Sequence, residues 1–226
     1  MTEIISGIHR VDGVRGANSY LVIGEGVITV IDTGMRGNGK KIVEYIKSLG
    51  RDPCEVESIV QTHADFDHSG SAVELKEMTG AKVAIHEGDA LRFSRLMGLK
   101  KMRGISTPLL KVTSRIMNFR ATKQDITLRE GDKIGDLKVI HTPGHTEGSI
   151  CLYKPGDLIF VGDVMKCNKN GSLELPWRLV TLDMVKAKES LRKISQLQFD
   201  ILLPGHGRPV LQDATEKVRH LLENAG

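Results

Sequence analysis

The sequence predicts an α/β protein with two β-rich halves whose sheets pack face to face, helices on the outside and a basic insertion between the halves. Three observations carry this. Leu21–Asp32 reads as strand, glycine turn, apolar strand and Asp, and Leu152–Asp163 repeats that order around Pro155-Gly156-Asp157. Each unit is later followed by a helical pattern and then a short apolar strand running into a histidine, Ile59-Val60 into His63 and Ile201-Leu202-Leu203 into His206. Between the halves, Ala90–Gln124 holds nine Lys/Arg (Arg92, Arg95, Lys100, Lys101, Arg103, Lys111, Arg115, Arg120, Lys123) and no Asp or Glu.

The elements follow in order. Ile4–His9 is apolar-rich and reads as a strand. Asn18–Ile23 and Val27–Ile31 flank Gly24-Glu25-Gly26, a hairpin signal, and the second strand ends in Asp32-Thr33-Gly34. Lys40–Leu49 carries Ile42, Val43, Ile46 and Leu49 at helical spacing, with Gly50 as a stop. Ser71–Thr79 is a helix closed by Gly80, and Ala81–Ile85 is a strand. Leu91, Phe93, Leu96, Met97, Leu99 and Met102 interleave with the basic charges, which suits one or two amphipathic helices separated at Pro108. Strands return at Asp125–Leu128, Leu137–Ile140, Ser149–Tyr153 and Leu158–Val161. Leu182–Leu197 is a long helix with Thr181 or Asp183 near its start. Ile201–Leu203 is a buried strand. Asp213-Ala214-Thr215-Glu216 has the form of a capping box opening a last helix to about Glu223.

At 226 residues the chain is read as one domain over 1–226, with 88–124 as a lid-like insertion within it. No apolar run is long enough to span a bilayer and no charged-then-apolar leader opens the chain, so the expectation is a cytoplasmic protein. Cys54, Cys151 and Cys167 are odd in number and lack CxxC spacing, which argues against a disulfide framework or a cysteine zinc site. The net charge of +4 belongs to the basic segment alone, and the rest of the chain is net acidic.

The chemistry concentrates in Thr62-His63-Ala64-Asp65-Phe66-Asp67-His68, on a loop between a buried strand and a helix. An extended backbone there would point His63, Asp65 and Asp67 to one side. Imidazole mixed with carboxylate suits zinc, iron or manganese. Three further candidate ligands sit at strand ends beside Gly or Pro: His145 in Pro143-Gly144-His145, Asp163 after Gly162, and His206 in Pro204-Gly205-His206-Gly207. Gly and Pro let the backbone turn tightly while the side chain is presented from a strand edge. His141 and His86 could donate to a ligand carboxylate or be satisfied structural histidines. His9 and His220 read as surface or core.

These residues resemble the metallo-β-lactamase superfamily over nearly the whole chain: HxHxDH, then a Gly-His after a strand, an Asp after a strand and a second Gly-His near the C-terminus. Asp32-Thr33-Gly34 falls where such proteins place an Asp-containing turn. The resemblance implies an αββα sandwich with two divalent metal ions, zinc or iron, at the sheet edges. It implies His63 and His145 on the first metal, Asp67, His68 and His206 on the second, and Asp163 bridging. The family's second His is Asp65 here. An anionic oxygen in place of a neutral nitrogen makes the first metal a weaker Lewis acid. Three outcomes are open: Asp65 ligates, it falls short and leaves the first site weak, or it favours iron. Flavodiiron proteins use Glu at that position. Persulfide dioxygenases bind one iron through the residues corresponding to His63, His145 and Asp163.

The resemblance implies a hydrolase in which a metal-bound hydroxide, oriented by Asp67 or Asp65, attacks an ester, thioester, lactone or amide. A non-haem iron oxidoreductase and a metal-dependent nuclease are the alternatives. Few aromatics in the basic stretch and no RNA-binding motif argue against nucleic acid. The expected partner is a small anionic or acyl-bearing molecule, drawn by Arg92, Arg95, Lys100 and Lys101. The Met165–Trp177 loop would complete the pocket.

Overall fold

The computed structural model describes residues 2–94, 96, 122–168 and 170–224. Two sheets pack face to face. The first has seven strands in spatial order: β1 Thr2–Ile5, β2 Ile8–Arg10, β3 Tyr20–Ile23, β4 Ile28–Ile31, β5 Val56–Val60, β6 Lys82–His86 and β7 Ile126–Leu128. β1 to β4 form an antiparallel meander, and β4 to β7 run parallel. The second sheet contains β8 Lys133–Ile134, β9 Leu137–His141, β10 Ile150–Lys154, β11 Leu158–Gly162 and β14 Ile201–Pro204, in the order β14-β11-β10-β9-β8. A two-stranded ribbon, β12 Lys166–Cys167 with β13 Leu173–Glu174, is paired with neither sheet.

The repeat seen in the sequence is realised in the pairing. In each half an antiparallel hairpin, β3–β4 or β10–β11, is extended on its second strand by a parallel strand that arrives after a helix. Ile31 aligns with Val60 in one half and Phe160 with Leu203 in the other. Both parallel strands therefore end at the same edge as the Asp that closes the hairpin.

Alternation along the strands creates three apolar layers. Ile31, Val60, Ala84, Val139, Leu152, Phe160 and Leu203 fill the space between the sheets. Ile42, Ile46, Ile59, Leu75, Val83 and Phe93 lie between the first sheet and its helices, α1 Gly39–Ser48, α3 Ala72–Thr79 and α4 Glu87–Phe93. Ile159, Val161, Leu191, Ile194, Leu202 and Val218 do the same between the second sheet and α5 Met184–Ser195 and α6 Ala214–Glu223. The architecture is the expected αββα sandwich.

Several expectations are corrected. The apolar stretch Ile4–His9 is not one strand: the chain turns at Gly7 and β1 and β2 form a hairpin. The Asp213 capping box does not form. Asp213 is left-handed (φ 55°) and its side chain makes no cap bond, whereas a capping side chain needs an extended residue. Its amide is instead drawn to Asp200 Oδ1 at 2.8 Å. A capping box does form at Asp52 and Glu55, opening the one-turn helix Pro53–Glu55. Asp183, one of the two candidates, caps α5 by accepting from Val185 N and Lys186 N. Of the basic insertion, α4 and a few flanking residues are described; the helices expected around Pro108, and Arg95, Lys100 and Lys101, lie outside the described residues.

Candidate metal centre

The motif does not stay extended. Asp65 is the N-cap of a one-turn helix, α2 Phe66–Ser69, so the expected one-sided row of His63, Asp65 and Asp67 is broken. The helical turn sends Asp65 and Asp67 to different neighbours. Asp65 Oδ2 lies 3.0 Å from His145 Nε2 and 3.6 Å from His63 Nε2. Asp67 Oδ2 lies 3.3 Å from His206 Nε2, which is 3.3 Å from His68 Nε2. Asp163 stands between, with Oδ1 3.2 Å from His68 Nε2 and Oδ2 3.6 Å from His145 Nε2. Three groups result, each with ligand atoms within 4.8 Å of one another: His63, Asp65 and His145; His63, His68 and Asp163; and Asp67, His68 and His206. All seven sequence candidates for metal binding are thus brought together. The shorter Asp65 side chain does reach its group.

Glycine lets the two later histidine turns form. A Cβ on Gly144 (φ 138°) would lie 2.3 Å from Ala187 N in α5, and one on Gly207 (φ 95°) would lie 1.6 Å from the Cys167 carbonyl oxygen. The sheets are also tied at the site. Ile150 N donates to Thr62 O (2.9 Å), and Asn18 Nδ2 donates to the carbonyls of Pro204 and Gly207 (2.9 and 3.0 Å).

Hydrogen bonds behind the rings fix which nitrogen faces inward. Asp32, itself in the left-handed region at φ 55°, accepts from Thr62 N (2.8 Å), from Thr62 Oγ1 (2.7 Å) and from His68 Nδ1 (2.7 Å). Because the Thr62 hydroxyl is spent on Asp32, it accepts from His63 Nδ1 at 3.1 Å. The Thr181 hydroxyl likewise donates to Trp177 O (2.9 Å) and accepts from His145 Nδ1 (3.3 Å). Each of these bonds ties Nδ1 to a fixed partner behind the ring and turns Nε2 into the cluster. Among the described residues His63 Nε2 is buried with no hydrogen-bond partner. Inward-facing Nε2 atoms and three converging carboxylates fit a cation.

The carboxylates and imidazoles also hold one another in their charged forms. Burial raises the Asp163 carboxyl, but the nearby His68, His145 and His63 outweigh it and hold the group well below the usual carboxylate range. Burial also raises Asp67, and the His206 hydrogen bond and the charge of His68 overcome it, leaving a net lowering. Burial lowers the His68 ring, yet Asp163 and Asp32 hold it well above the usual imidazole value.

Asp32 and Thr181 were not read as functional from the sequence. A non-glycine residue forced to positive φ is the structural sign of Asp32, and no pattern marks Thr181. His86 and His141 stack on each other, with centroids 4.0 Å apart, and are structural. Cys167 is buried, and burial pushes the buried Cys151 thiol up to about 12. A cleft beside the cluster is lined by Asp163, Lys166, Pro176, Trp177, Val180 and His206, so the Met165–Trp177 loop does form a wall. Trp177 is exposed, lies over His206 at 6.3 Å with planes 19° apart, and carries Lys166 Nζ 4.9 Å from its ring centroid. Arg92 is engaged by Glu147 at 2.7 Å, with its side chain 9 % exposed.

Packed sheets that gather imidazoles and carboxylates at their strand ends define a candidate metal centre shared between the two sheets. The chain belongs to the metallo-β-lactamase superfamily, whose family model matches residues 12–206, and it is a hydrolase of that superfamily. It is 32 % identical to a probable metallo-hydrolase, YqgX, of Bacillus subtilis, covering 84 % of this chain and 85 % of that protein. It is also 32 % identical to the acyl-coenzyme A thioesterase MBLAC2 of Homo sapiens, over 84 % of this chain and 72 % of that one. Among solved structures, BJP-1, a subclass B3 metallo-β-lactamase of Bradyrhizobium japonicum, superposes with a TM-score of 0.71 at 23 % identity, covering 99 % of this chain and 90 % of that one. Among the described residues no helix is long and apolar enough to cross a membrane.

Proposed function

We propose that the chain hydrolyses an ester or thioester of an acyl-bearing, anionic small molecule at a site holding two divalent metal ions. One observation carries the reading: the Nε2 atoms of His63, His68, His145 and His206 converge with the carboxylates of Asp65, Asp67 and Asp163 at the joined edge of the two sheets. His63, Asp65 and His145 would hold one ion and Asp67, His68 and His206 the other, with Asp163 between them. Bound ions supply Lewis-acid activation of water and of the scissile carbonyl. The protein's own part is orientation. Asp65 and Asp67 flank Phe66 on one helical turn, and a carboxylate oxygen of one or the other would orient the attacking water by accepting a hydrogen bond from it. The cleft wall of Pro176, Trp177 and Val180 gives an acyl group an apolar surface beside the cluster. Lys166 lies at the same wall, paired with Glu174 Oε2 at 2.7 Å. The acyl-CoA thioesterase among the relatives supports a thioester as the first bond to test.

A second reading, a non-haem iron oxidoreductase, is favoured by Asp65 alone, because a carboxylate hardens the first group relative to imidazole. One preparation separates the two. Protein purified anaerobically from cells supplied with both zinc and iron is subjected to elemental analysis, then assayed on acyl-CoA thioesters of graded chain length and for oxygen uptake. The hydrolase reading expects two zinc ions per chain and thioester cleavage abolished by chelation. Full-rate cleavage by metal-free protein would sink it, and iron with substrate-dependent oxygen uptake would replace it with the second reading.

A further inference from the structure

The first ligand group is assembled from two separate loops. Thr62–Asp65 leaves the end of β5 in the first sheet, and residues 142–149 join β9 to β10 in the second. Between them sits Asp89, on α4, with no exposed surface. Its Oδ2 accepts from Ala64 N at 2.8 Å and from Thr146 Oγ1 at 2.8 Å, and its Oδ1 accepts from Gly148 N at 3.0 Å. Ala64 adjoins Asp65, and Thr146 adjoins His145. The approach is at backbone distance: a Cβ on Gly148 would lie 2.3 Å from Asp89 N, and one on Gly88 would lie 2.8 Å from Glu147 O. One turn further along α4, Arg92 pairs with Glu147 of the same loop at 2.7 Å.

We infer that Asp89 is a positioning residue for the first metal, a carboxylate that bonds both ligand loops at once and so sets the reach of Asp65 and His145. The inference rests on the reading that His63, Asp65 and His145 hold an ion. Three donors converge on one buried carboxylate, the kind of charge-assisted bonding that fixes geometry most firmly. The demand for it comes from Asp65. A carboxylate on one methylene is shorter than an imidazole, so its backbone must be held closer to the partner histidine, and the bond to the adjacent amide of Ala64 does that. Asp89 touches neither the ligand atoms nor the cleft, so it acts through the residues it holds.

The test loads the full-length protein with Co²⁺ and follows the cobalt absorption bands together with chelator competition. Wild type is expected to take two ions of distinguishable affinity. Asp89→Asn keeps one acceptor oxygen but turns an amide NH₂ toward a donor. It is expected to weaken one ion by about 10- to 100-fold and shift that ion's band, while the other ion's affinity and band stay put. Thr146→Val, which leaves Asp89 in place, is expected to weaken the same ion, and Thr146→Ser to restore it. The Thr146 pair decides the matter should an Asp89 variant fail to fold. Variants that weaken both ions equally, or neither, overturn the inference. A wild type that takes one ion overturns the two-metal reading itself, before any variant is made, and the inference with it.

Discussion

Asp32 illustrates how a residue outside the ligand set can govern it. Its carboxylate takes three donors, and the bond to His68 Nδ1 fixes the ring with Nε2 facing the cluster. Asp32→Asn is the informative change, because Asn tolerates the left-handed backbone that Asp32 adopts (φ 55°), so the loop keeps its path. The amide would present N–H where a carboxylate oxygen now accepts, and either the His68 or the Thr62 bond is lost. We expect the ion held by His68 to bind about 10- to 100-fold more weakly. Chelator competition on the purified variant reads this directly. An unchanged affinity would mean that packing alone orients His68. The candidate ligands were legible in the sequence, since His, Asp and Gly at strand ends keep their meaning without coordinates. The orienting residues Thr181 and Asp89 were not, because hydrogen bonds to residues 25 or more positions away leave no local pattern, and Asp32 was marked only by its place in the Asp32-Thr33-Gly34 turn.

At the scale of elements, α4 depends on an unusual cap. His86 ends β6 and its Nδ1 accepts from Gly88 N at 3.2 Å, so the ring must be neutral to cap the helix. Burial, reinforced by the charge of His141 and partly offset by Glu87, Asp89 and Glu130, holds its pKa below the ordinary 6.5. The sign is then fixed. A folded-state value below the unfolded one means the unfolded chain binds more protons, so this contribution is complete above about 6.5 and is lost as pH falls through the window below it. Equilibrium denaturation at pH 7 and pH 5 should show a loss near 1 kcal/mol, the ordinary worth of a cap. His86→Asn keeps a capping acceptor that does not titrate, so the loss between the two pH values should shrink even though the stack on His141 is gone. An equal loss in the variant would trace the pH dependence to other groups. Element boundaries were read well where apolar periodicity was long, as in α1 and α5. They failed at Gly7 and Asp213, where a left-handed backbone set by a tertiary partner or a tight turn overrode the local pattern.

At the scale of the molecule, the repeat of strand, turn, strand and Asp was the legible part of the architecture, because each half repeats the same chain path. It did not reveal how the halves are joined at the site. The structure answers with candidate ligands drawn from both sheets: His63, Asp65, Asp67 and His68 follow β5, whereas His145, Asp163 and His206 follow β9, β11 and β14. An ion held by such a set is a cross-link between the sheets that exists in the folded chain alone. Its binding energy therefore adds to folding, by about 4 kcal/mol when free metal exceeds Kd a thousandfold. Without it, the buried carboxylates and imidazoles are left to compensate one another. Removing metal should lower the melting temperature while leaving a single transition, because the apolar layer between the sheets still couples the halves. Trp177, the one tryptophan of the chain, lies over His206 and should report the same event through its emission. Metal titration followed by tryptophan fluorescence and by calorimetry should give matching stoichiometries. If chelation instead splits the melt into two transitions, the halves are joined chiefly by metal; if it leaves the melt unmoved, the ligand cluster contributes nothing to holding the sandwich closed.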